Sequence, residues 1–178
     1  MLHAIAVSIL LASSSSDDVA RRFIGTWTPD LQTHQRYKEL KELRQGAAIA
    51  PPALPSGILY LPKVRISLTE GALLFESLDE NGALSSAMRV TTDGRENVNP
   101  HGGQNRSHVS TSAWKDGVLK ITWKLVVDGA ATMTGVDTWS LSPDGATLTQ
   151  TSEMEDSRSR SRTRTSYRRG DRATPPVR

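Results

Sequence analysis

The sequence predicts an all-β protein, an antiparallel up-and-down meander that closes into a barrel of about 8–10 strands, with one short helix after the first strand. From Val64 onward apolar and polar residues alternate with a period of two, as in strands with one face on a core and the other in water. Turn pairs such as Asp116-Gly117 and Asp128-Gly129 recur at intervals of about ten residues. The short connections exclude the crossover helices of a parallel sheet.

The first strand is predicted over residues 21–27, and Pro29 is expected to end it. The one helix is predicted over residues 33–45, where apolar residues recur at i, i+3 spacing. Residues 47–57, which contain three prolines, follow as an irregular connection. Residues 97–105 read as a loop because they contain Pro100 and a Gly-Gly pair.

The other predicted strands share the alternating pattern and lie between turn residues. They are residues 64–69, 72–77, 83–91, 106–114, 119–125, 131–141, 147–153 and 157–169. In the strand over 131–141, Asp137, Trp139 and Leu141 fall on one face. A barrel is favoured over the alternative, a sandwich, because a long meander otherwise exposes two edges.

Length and composition are consistent with a single domain that has a modest core. The chain has 178 residues, of which 37% are apolar and 23% charged. It contains no cysteine, which excludes disulfides, thiolate metal sites and a thiol nucleophile.

The net charge of +3 is unevenly distributed. Residues 1–156 carry 14 Lys and Arg against 18 Asp and Glu, whereas residues 157–178 carry eight Arg and one Asp. The basic end could attract anions or pair with the acidic remainder.

The N-terminus has the pattern of an export signal. An uncharged apolar run over residues 4–12 is too short to span a bilayer and is followed by small residues, as signal peptidase requires. We therefore expect a leader over residues 1–20, cleaved between Ala12 and Ala20, one β domain over 21–169, a frayed tail over 170–178, and a periplasmic or secreted location. The alternative is that the apolar run is a first strand or helix of the domain. No other stretch could form a transmembrane helix.

Two features resemble a known family. Gly25-Thr26-Trp27 resembles the Gly-x-Trp signature of lipocalins, and the hairpin segments 112–119 and 138–149 are similar to those of small exported bacterial lipocalin-like proteins of the calycin type. The resemblance implies a lipocalin-like barrel in which a basic residue of the last strand packs over the signature tryptophan. Carried onto this sequence, Gly25 and Trp27 would close the barrel with Arg168 or Arg169.

Trp114, Trp123 and Trp139 are the candidates for contact with a ligand, and their alternative role is to form the core. No catalytic or metal-ligand spacing occurs. His101 and His108 are seven residues apart and read as solvated loop residues. We expect no catalytic site, no bound metal and no cofactor.

An alternating arginine row is the most unusual motif, and it consists of Arg158, Arg160, Arg162 and Arg164. On a strand these side chains share one face and could grip phosphate or sulfate. If residues 155–158 form the preceding turn, Arg160 lies opposite Glu153 and the row faces water. In a disordered segment the same residues would resemble an RNA-binding tail.

These observations favour an exported, non-enzymatic barrel that binds a small apolar or amphipathic ligand. The alternative is an interaction module whose arginine row contacts an anionic polymer, a lipid headgroup or a protein. An enzyme is a third reading, and a nucleic acid partner is disfavoured by export.

Overall fold

The computed structural model describes residues 16–40 and 62–170, which form one helix and one ten-stranded antiparallel sheet. Its elements are α1 (Ser16–Phe23), β1 (Gly25–Leu40), β2 (Lys63–Thr69), β3 (Ala72–Leu78), β4 (Leu84–Thr91), β5 (Asn97–Pro100), β6 (Arg106–Lys115), β7 (Val118–Val127), β8 (Ala130–Leu141), β9 (Thr147–Asp156) and β10 (Ser159–Arg169). Consecutive strands pair with each other from β1 to β4 and from β5 to β10. The first strand, β1, also pairs with the last, β10. The predicted all-β meander is confirmed.

Tight hairpins connect the later strands. Asp116 and Gly117 have φ of 51° and 75°, and Asp128 and Gly129 have φ of 50° and 80°. Positive φ at both central positions is the type I′ turn, whose twist matches that of the strands it joins. The Asp-Gly pairs therefore fix the register from β6 to β8.

Asparagine side chains join the two edges of the sheet, β4 and β5. Asn99 accepts from the Arg89 N–H at 2.8 Å and donates to the Arg89 carbonyl at 3.0 Å. Asn97 accepts from the Thr91 N–H at 2.9 Å, and the Ser112 hydroxyl donates to the Thr91 carbonyl. Side-chain amides thus take the place of a backbone ladder, and the barrel is nearly closed.

The core fills the end of the barrel next to α1, which we call the base. Its buried side chains are apolar and come from α1 and from most of the strands. They are Ala20, Phe23, Trp27, Val64, Ile66, Leu73, Phe75, Val90, Leu119, Ile121, Trp139, Leu148 and Tyr167.

The helix α1 covers the base. Asp17 and Asp18 lie in its first turn and Arg21 and Arg22 in its last, so both pairs complement the helix dipole. Phe23 is only 1% exposed and packs edge-on against Trp114, with ring centroids 4.9 Å apart. Burial of the face that carries Ala20 and Phe23 stabilises a helix that is too short to be stable alone.

The predicted position of the helix is wrong. The only helix in residues 16–40 and 62–170 precedes the first strand, and residues 33–40 belong to β1. There Tyr37 pairs with Arg162 and Leu40 with Ser159 of β10. Backbone pairing with a long neighbouring strand outweighs the i, i+3 pattern. Residues 41–45 and the predicted connection over 47–57 lie outside the described residues.

The predicted opening strand is also wrong at both ends. Residues 21–23 are helical, and β1 continues past Pro29, with a register shift between Asp30 and Gln35. Beyond Trp27, β1 pairs with β10 but no longer with β2. Pro29 is tolerated because its missing N–H lies where no ladder bond to β2 is made.

Two smaller predictions need correction. Residues 97–100 form an edge strand, β5, within the predicted loop over 97–105. In the last hairpin Arg160 pairs with Glu155 and Arg162 with Glu153, two residues from the predicted register. Asp156 accepts the N–H groups of residues 158 and 159 at 2.7 and 2.6 Å, which places the turn later. A shift of two leaves each side chain on its predicted face.

Candidate ligand-binding site

The half of the barrel away from α1 has a different lining from the base, and we call it the upper interior. Some of its side chains lie on the same face of β7 as the buried Leu119 and Ile121. The others lie directly opposite inward-facing residues of the neighbouring strand, so they point inward too. They are half-buried and mix apolar with polar character. They are Trp123, Leu125, Met133, Asp137, Gln150, Ser152, Met154 and Thr163.

Asp137 is the charged residue of the upper interior. It lies on β8 opposite the buried Ile121, and Ser152 is its partner on β9. Burial raises the pKa of Asp137 above its usual value, and the Ser152 hydroxyl and Trp123 indole oppose this rise by interacting with the ionised form. The Trp123 N–H nevertheless lies outside normal hydrogen-bond geometry, and Asp137 Oδ1 makes no hydrogen bond to the protein.

No cation neutralises this carboxylate among the residues whose side chains are described. Every such Lys and Arg is exposed except Arg169, which is half-buried at the base. Burying an ionised carboxylate without a partner is costly, so Asp137 is the least compensated group of the interior.

Hydrogen-bonding side chains continue around the wall onto β9, β10 and β1. The Tyr167 hydroxyl donates to Gln150 Oε1 at 3.1 Å, and His34 Nδ1 lies 2.9 Å from the Thr165 hydroxyl. Burial and the nearby Asp137 charge raise the pKa of Tyr167 to about 12. Burial, with a smaller effect from Arg36, lowers the pKa of His34, which favours the neutral imidazole.

His108 and Ser110 of β6 complete the ring of polar groups. The His108 ring centroid is 5.2 Å from that of Trp123. Burial, followed by repulsion from His101, lowers the pKa of His108 and favours its neutral form. Among the residues whose side chains are described, the upper interior therefore presents polar groups without a buried positive charge.

Several buried polar atoms of the inward-facing side chains have no hydrogen-bond partner within the protein. They are His34 Nε2, His108 Nδ1, Ser110 Oγ, Trp114 Nε1, Trp123 Nε1, Asp137 Oδ1 and Trp139 Nε1. Buried polar atoms are normally paired, and a cluster that is not paired marks hydrogen-bonding capacity for a further molecule.

The three predicted ligand-binding tryptophans do not form one surface. Trp139 is 4% exposed in the base beside Phe75, and Trp114 packs on Phe23. Trp123 alone among them lies in the upper interior, so a role in ligand contact stays a prediction that the geometry favours for Trp123.

Of the residues expected to close the barrel, Arg169 stacks on the signature tryptophan. Its guanidinium carbon lies 4.3 Å from the Trp27 ring centroid, and it donates to the Ile24 carbonyl at 2.8 Å. Gly25 has φ of 148°, and a side chain there would lie 3.2 Å from the Arg169 guanidinium. Arg168 instead pairs with Asp30 at 2.9 Å on the outer face. A cation–π contact contributes about 0.5–2 kcal/mol.

The arginine row lies on the outer face of β10, except that Arg158 lies in the preceding turn. Arg160 pairs with Glu155 at 2.9 Å, and Arg162 lies 3.4 Å from Glu153. Such exposed pairs contribute about 0–1 kcal/mol each.

An open groove of about 1510 Å³ lies outside the barrel, beside α1 and the β8–β9 turn. Arg65 and Arg168 line it, but each forms an ion pair, with Glu76 and Asp30 respectively. This groove was not predicted as a binding site. His101 was not predicted as one either, and its ring lies 6.4 Å from that of His108.

The sequence analysis identified Trp123 but missed Asp137 and the polar side chains near it. A carboxylate on the same strand face as Trp139 and Leu141 was the available signal, because a charged residue on a core-facing parity is unusual. The partners Gln150, Thr165 and His34 had no comparable signal, since their approach depends on the pairing of β1, β9 and β10.

The fold is similar to those of solved proteins that share little sequence identity with this chain. It resembles the secretary abundant heat soluble (SAHS) protein of Ramazzottius varieornatus, with a TM-score of 0.52 and 11% identity over 84% of this chain and 96% of that one. It also resembles a single-residue mutant of the fluorescent protein UnaG, with a TM-score of 0.50 and 18% identity over 85% and 99%.

For the apo form of lipid binding protein 8 of Caenorhabditis elegans the TM-score is 0.48, with 16% identity over 84% of this chain and 96% of that one. The similarities to the SAHS protein and to UnaG, at these identities, concern the fold alone. No protein-family model and no curated protein matches the sequence. Within the described residues, no helix is long and apolar enough to cross a membrane.

Proposed function

We propose that this protein binds a small amphipathic molecule in the upper interior and is not an enzyme. The observation that carries the proposal is the combination of half-buried apolar side chains with buried polar atoms that have no partner in the protein. A small-molecule site of this kind is apolar with a few placed polar groups that orient the ligand.

The dimensions of the barrel support this proposal. About eight strands give an interior that side chains just fill, and this barrel has ten. On β10 the inward residues of the upper half are small, namely Ser161, Thr163 and Thr165. Small side chains on this wall favour room for a ligand beside Trp123.

The one hydroxyl–imidazole pair of the interior does not favour catalysis. His34 bonds the Thr165 hydroxyl through Nδ1, as a base bonds a nucleophile. Its other nitrogen, Nε2, has no partner, so no carboxylate orients the ring. The pair is better explained as part of the polar wall.

Titration with decan-1-ol, followed by calorimetry, tests the proposal. We expect binding that moderate salt does not weaken, and Trp123→Ala should lower the affinity at least about fivefold because an aromatic anchor contributes 1 kcal/mol or more. Arg164→Ala, on the outer face, is the control and should bind as the natural protein does. Absence of binding, or equal loss in both variants, would refute the proposal.

A second candidate is an outer anion-binding face formed by the arginine row. Arg158, Arg162 and Arg164 are well exposed, which favours it, but two acidic residues of β9 already pair with Arg160 and Arg162. Retention on heparin that salt releases, and that the joint change of Arg160, Arg162 and Arg164 to Ser abolishes, would support this candidate. Retention unchanged by that triple substitution would exclude it.

The proposal includes export to the periplasm or the medium. Val19 packs against the core and Ala20 is 3% exposed, so a cleavage before residue 16 leaves α1 intact. The expected product, checked by N-terminal sequencing of exported protein, begins between residues 13 and 16. A full-length chain retained in the cytoplasm would contradict export.

A further inference from the structure

The ligand class can be inferred from the charge of the upper interior. Asp137 is the acidic side chain beside Trp123, and no Lys or Arg pairs with it among the residues whose side chains are described. Asp156, whose strand position pairs with Met133, instead accepts backbone N–H groups of the β9–β10 turn. The outer carboxylates differ: Asp30, Glu76 and Glu155 each face an arginine within 2.9 Å. Several outer acids are thus paired with arginine, whereas Asp137 has no countercharge among the side chains that the structure describes.

We propose that the ligand is a cationic amphiphile, a primary or secondary amine whose ammonium group binds the Asp137 carboxylate while its apolar part lies against Trp123. The inference rests on the proposed function, because it assigns a head group to a ligand of that same site.

The atoms around Asp137 suit an ammonium group. Asp137 Oδ1 has no donor in the protein, and an N–H of the amine would supply one. Ser152, its partner on β9, offers a hydroxyl, and Gln150 lies one inward position further along that strand. The cation would remove most of the cost of burying the carboxylate, which gives the amine an advantage that a neutral head group lacks.

The apolar part of the ligand has its own surface. Trp123, Leu125 and Met133 adjoin one another because Leu125 pairs with Met133 and Trp123 pairs with Gly135. The face of the indole can also attract the ammonium group itself. Both parts of an amphiphilic amine thus meet complementary groups within one half of the barrel.

An anionic amphiphile is disfavoured by the same geometry. Its carboxylate would lie near Asp137, with which no arginine or lysine forms an ion pair among the residues whose side chains are described; Arg36, opposite Thr163, is exposed. His34 and His108 favour their neutral forms. Like charges in a desolvated site repel strongly. The predicted order of affinity is amine, then alcohol, then carboxylate.

Three probes with the same ten-carbon chain test the inference: decylammonium, decan-1-ol and decanoate, each titrated calorimetrically below its micelle concentration at neutral pH. We expect decylammonium to bind at least about tenfold more tightly than decan-1-ol, since a hydrogen bond to a charged group contributes about 1.5–3 kcal/mol. Decanoate should bind more weakly than the alcohol.

Asp137→Asn should remove the preference for the amine, so that decylammonium binds no more tightly than decan-1-ol. Glu153→Gln, which removes one negative charge from the adjacent outer position of β9, is the matched control and should retain the preference. If Asp137→Asn does not fold, the order of affinities of the three probes for the natural protein still decides whether the ligand is cationic.

The outcomes separate the two proposals. Equal affinities for the three probes, or tightest binding of decanoate, would overturn the cationic ligand and leave the binding function in place. Binding of none of the probes would overturn both. An amine preference that survives Asp137→Asn would assign the charge recognition to another group and overturn the inference.

Discussion

Trp123 packs closely on β8 because residue 135 has no side chain. A Cβ at Gly135 would overlap the Trp123 ring and would lie 2.6 Å from the Glu153 carbonyl oxygen, which is shorter than van der Waals contact. The glycine is required by close packing, and the position of Trp123 in the upper interior depends on it.

Gly135→Ala should therefore lower the free energy of unfolding by about 1–3 kcal/mol, the usual cost of overpacking. Urea denaturation measures the change, and Trp123 fluorescence should shift with it. Thr134→Ala, at the exposed neighbouring position, is the control and should stay within about 0.5 kcal/mol of the natural protein. An unchanged midpoint for Gly135→Ala would show that the ring is not packed there.

Asp137 also makes stability depend on pH. Burial raises the pKa of its carboxyl in the folded protein, so the folded state holds the proton more tightly than the unfolded chain does. The free energy of unfolding then falls as pH rises from the unfolded pKa of about 3.9 through the raised folded value, and the loss persists above it.

We expect Asp137→Asn to gain stability relative to the natural protein across that pH interval, measured by urea denaturation from pH 3 to pH 7. His34 and His108, whose pKa values are lowered, reduce stability as pH falls below about 6.5, but they do so in both proteins. The difference between the two curves therefore isolates Asp137. Parallel curves would contradict the burial of an ionisable carboxyl at this site.

At the scale of elements, the seam between β4 and β5 is the weakest part of the wall. Asn97 and Asn99 supply hydrogen bonds that a continuous ladder would obtain from backbone groups. Side-chain bridges of this kind are fewer than ladder bonds, so the seam should open before the other strand pairs do.

Asn99→Ala should leave both backbone groups of Arg89 without their partners, at a cost of about 1–3 kcal/mol for each group that remains buried. Hydrogen exchange of the Arg89 amide, measured by NMR, should accelerate more than that of amides in β7 or β8. Val98→Ala is the control because Val98 is 65% exposed on the same strand. Equal exchange in the two variants would mean that Asn99 does not hold the seam.

The strands of this barrel could be predicted better than its helix. Alternation at Leu119, Ile121 and Trp123 and the Asp-Gly turns are local signals, and β7 and its hairpins follow from them. The path of β1 could not be predicted locally, because residues 33–40 have a helical pattern and become a strand only through pairing with β10. The polar side chains near Asp137 come together through the same long-range pairing, so they could not be predicted locally. Asp137 itself could have been identified from the strand face that it shares with Trp139.

At the scale of the whole molecule, one end of the barrel is closed by described residues. The helix α1 covers the base, where Arg169 lies over Trp27 and the side chains are fully buried. In the opposite half the large apolar side chains such as Trp123, Leu125 and Met133 are only half-buried, while Ser110, Ser161 and Thr165 are buried. A ligand would therefore enter from the half that contains Trp123 and Asp137, and the apolar base would limit how deeply it goes.

The charge asymmetry of the sequence is partly resolved by pairing across strands. Arginines of β10 face Glu153, Glu155 and Asp30 of its two neighbours. The basic C-terminal segment and the acidic body thus neutralise each other on the outer wall. Because these outer charges are partly paired, the interior is the more favourable place for a partner to bind.

The most direct measurement is the NMR response of the four tryptophan indole N–H groups to decan-1-ol. If the ligand occupies the upper interior, the Trp123 signal shifts saturably, because its N–H has no partner in the protein, while the Trp27 signal stays in place through its 2.9 Å bond to the Phe23 carbonyl. A Trp123 signal that does not move at saturating decan-1-ol, or shifts confined to residues of the outer face, would contradict an interior binding site.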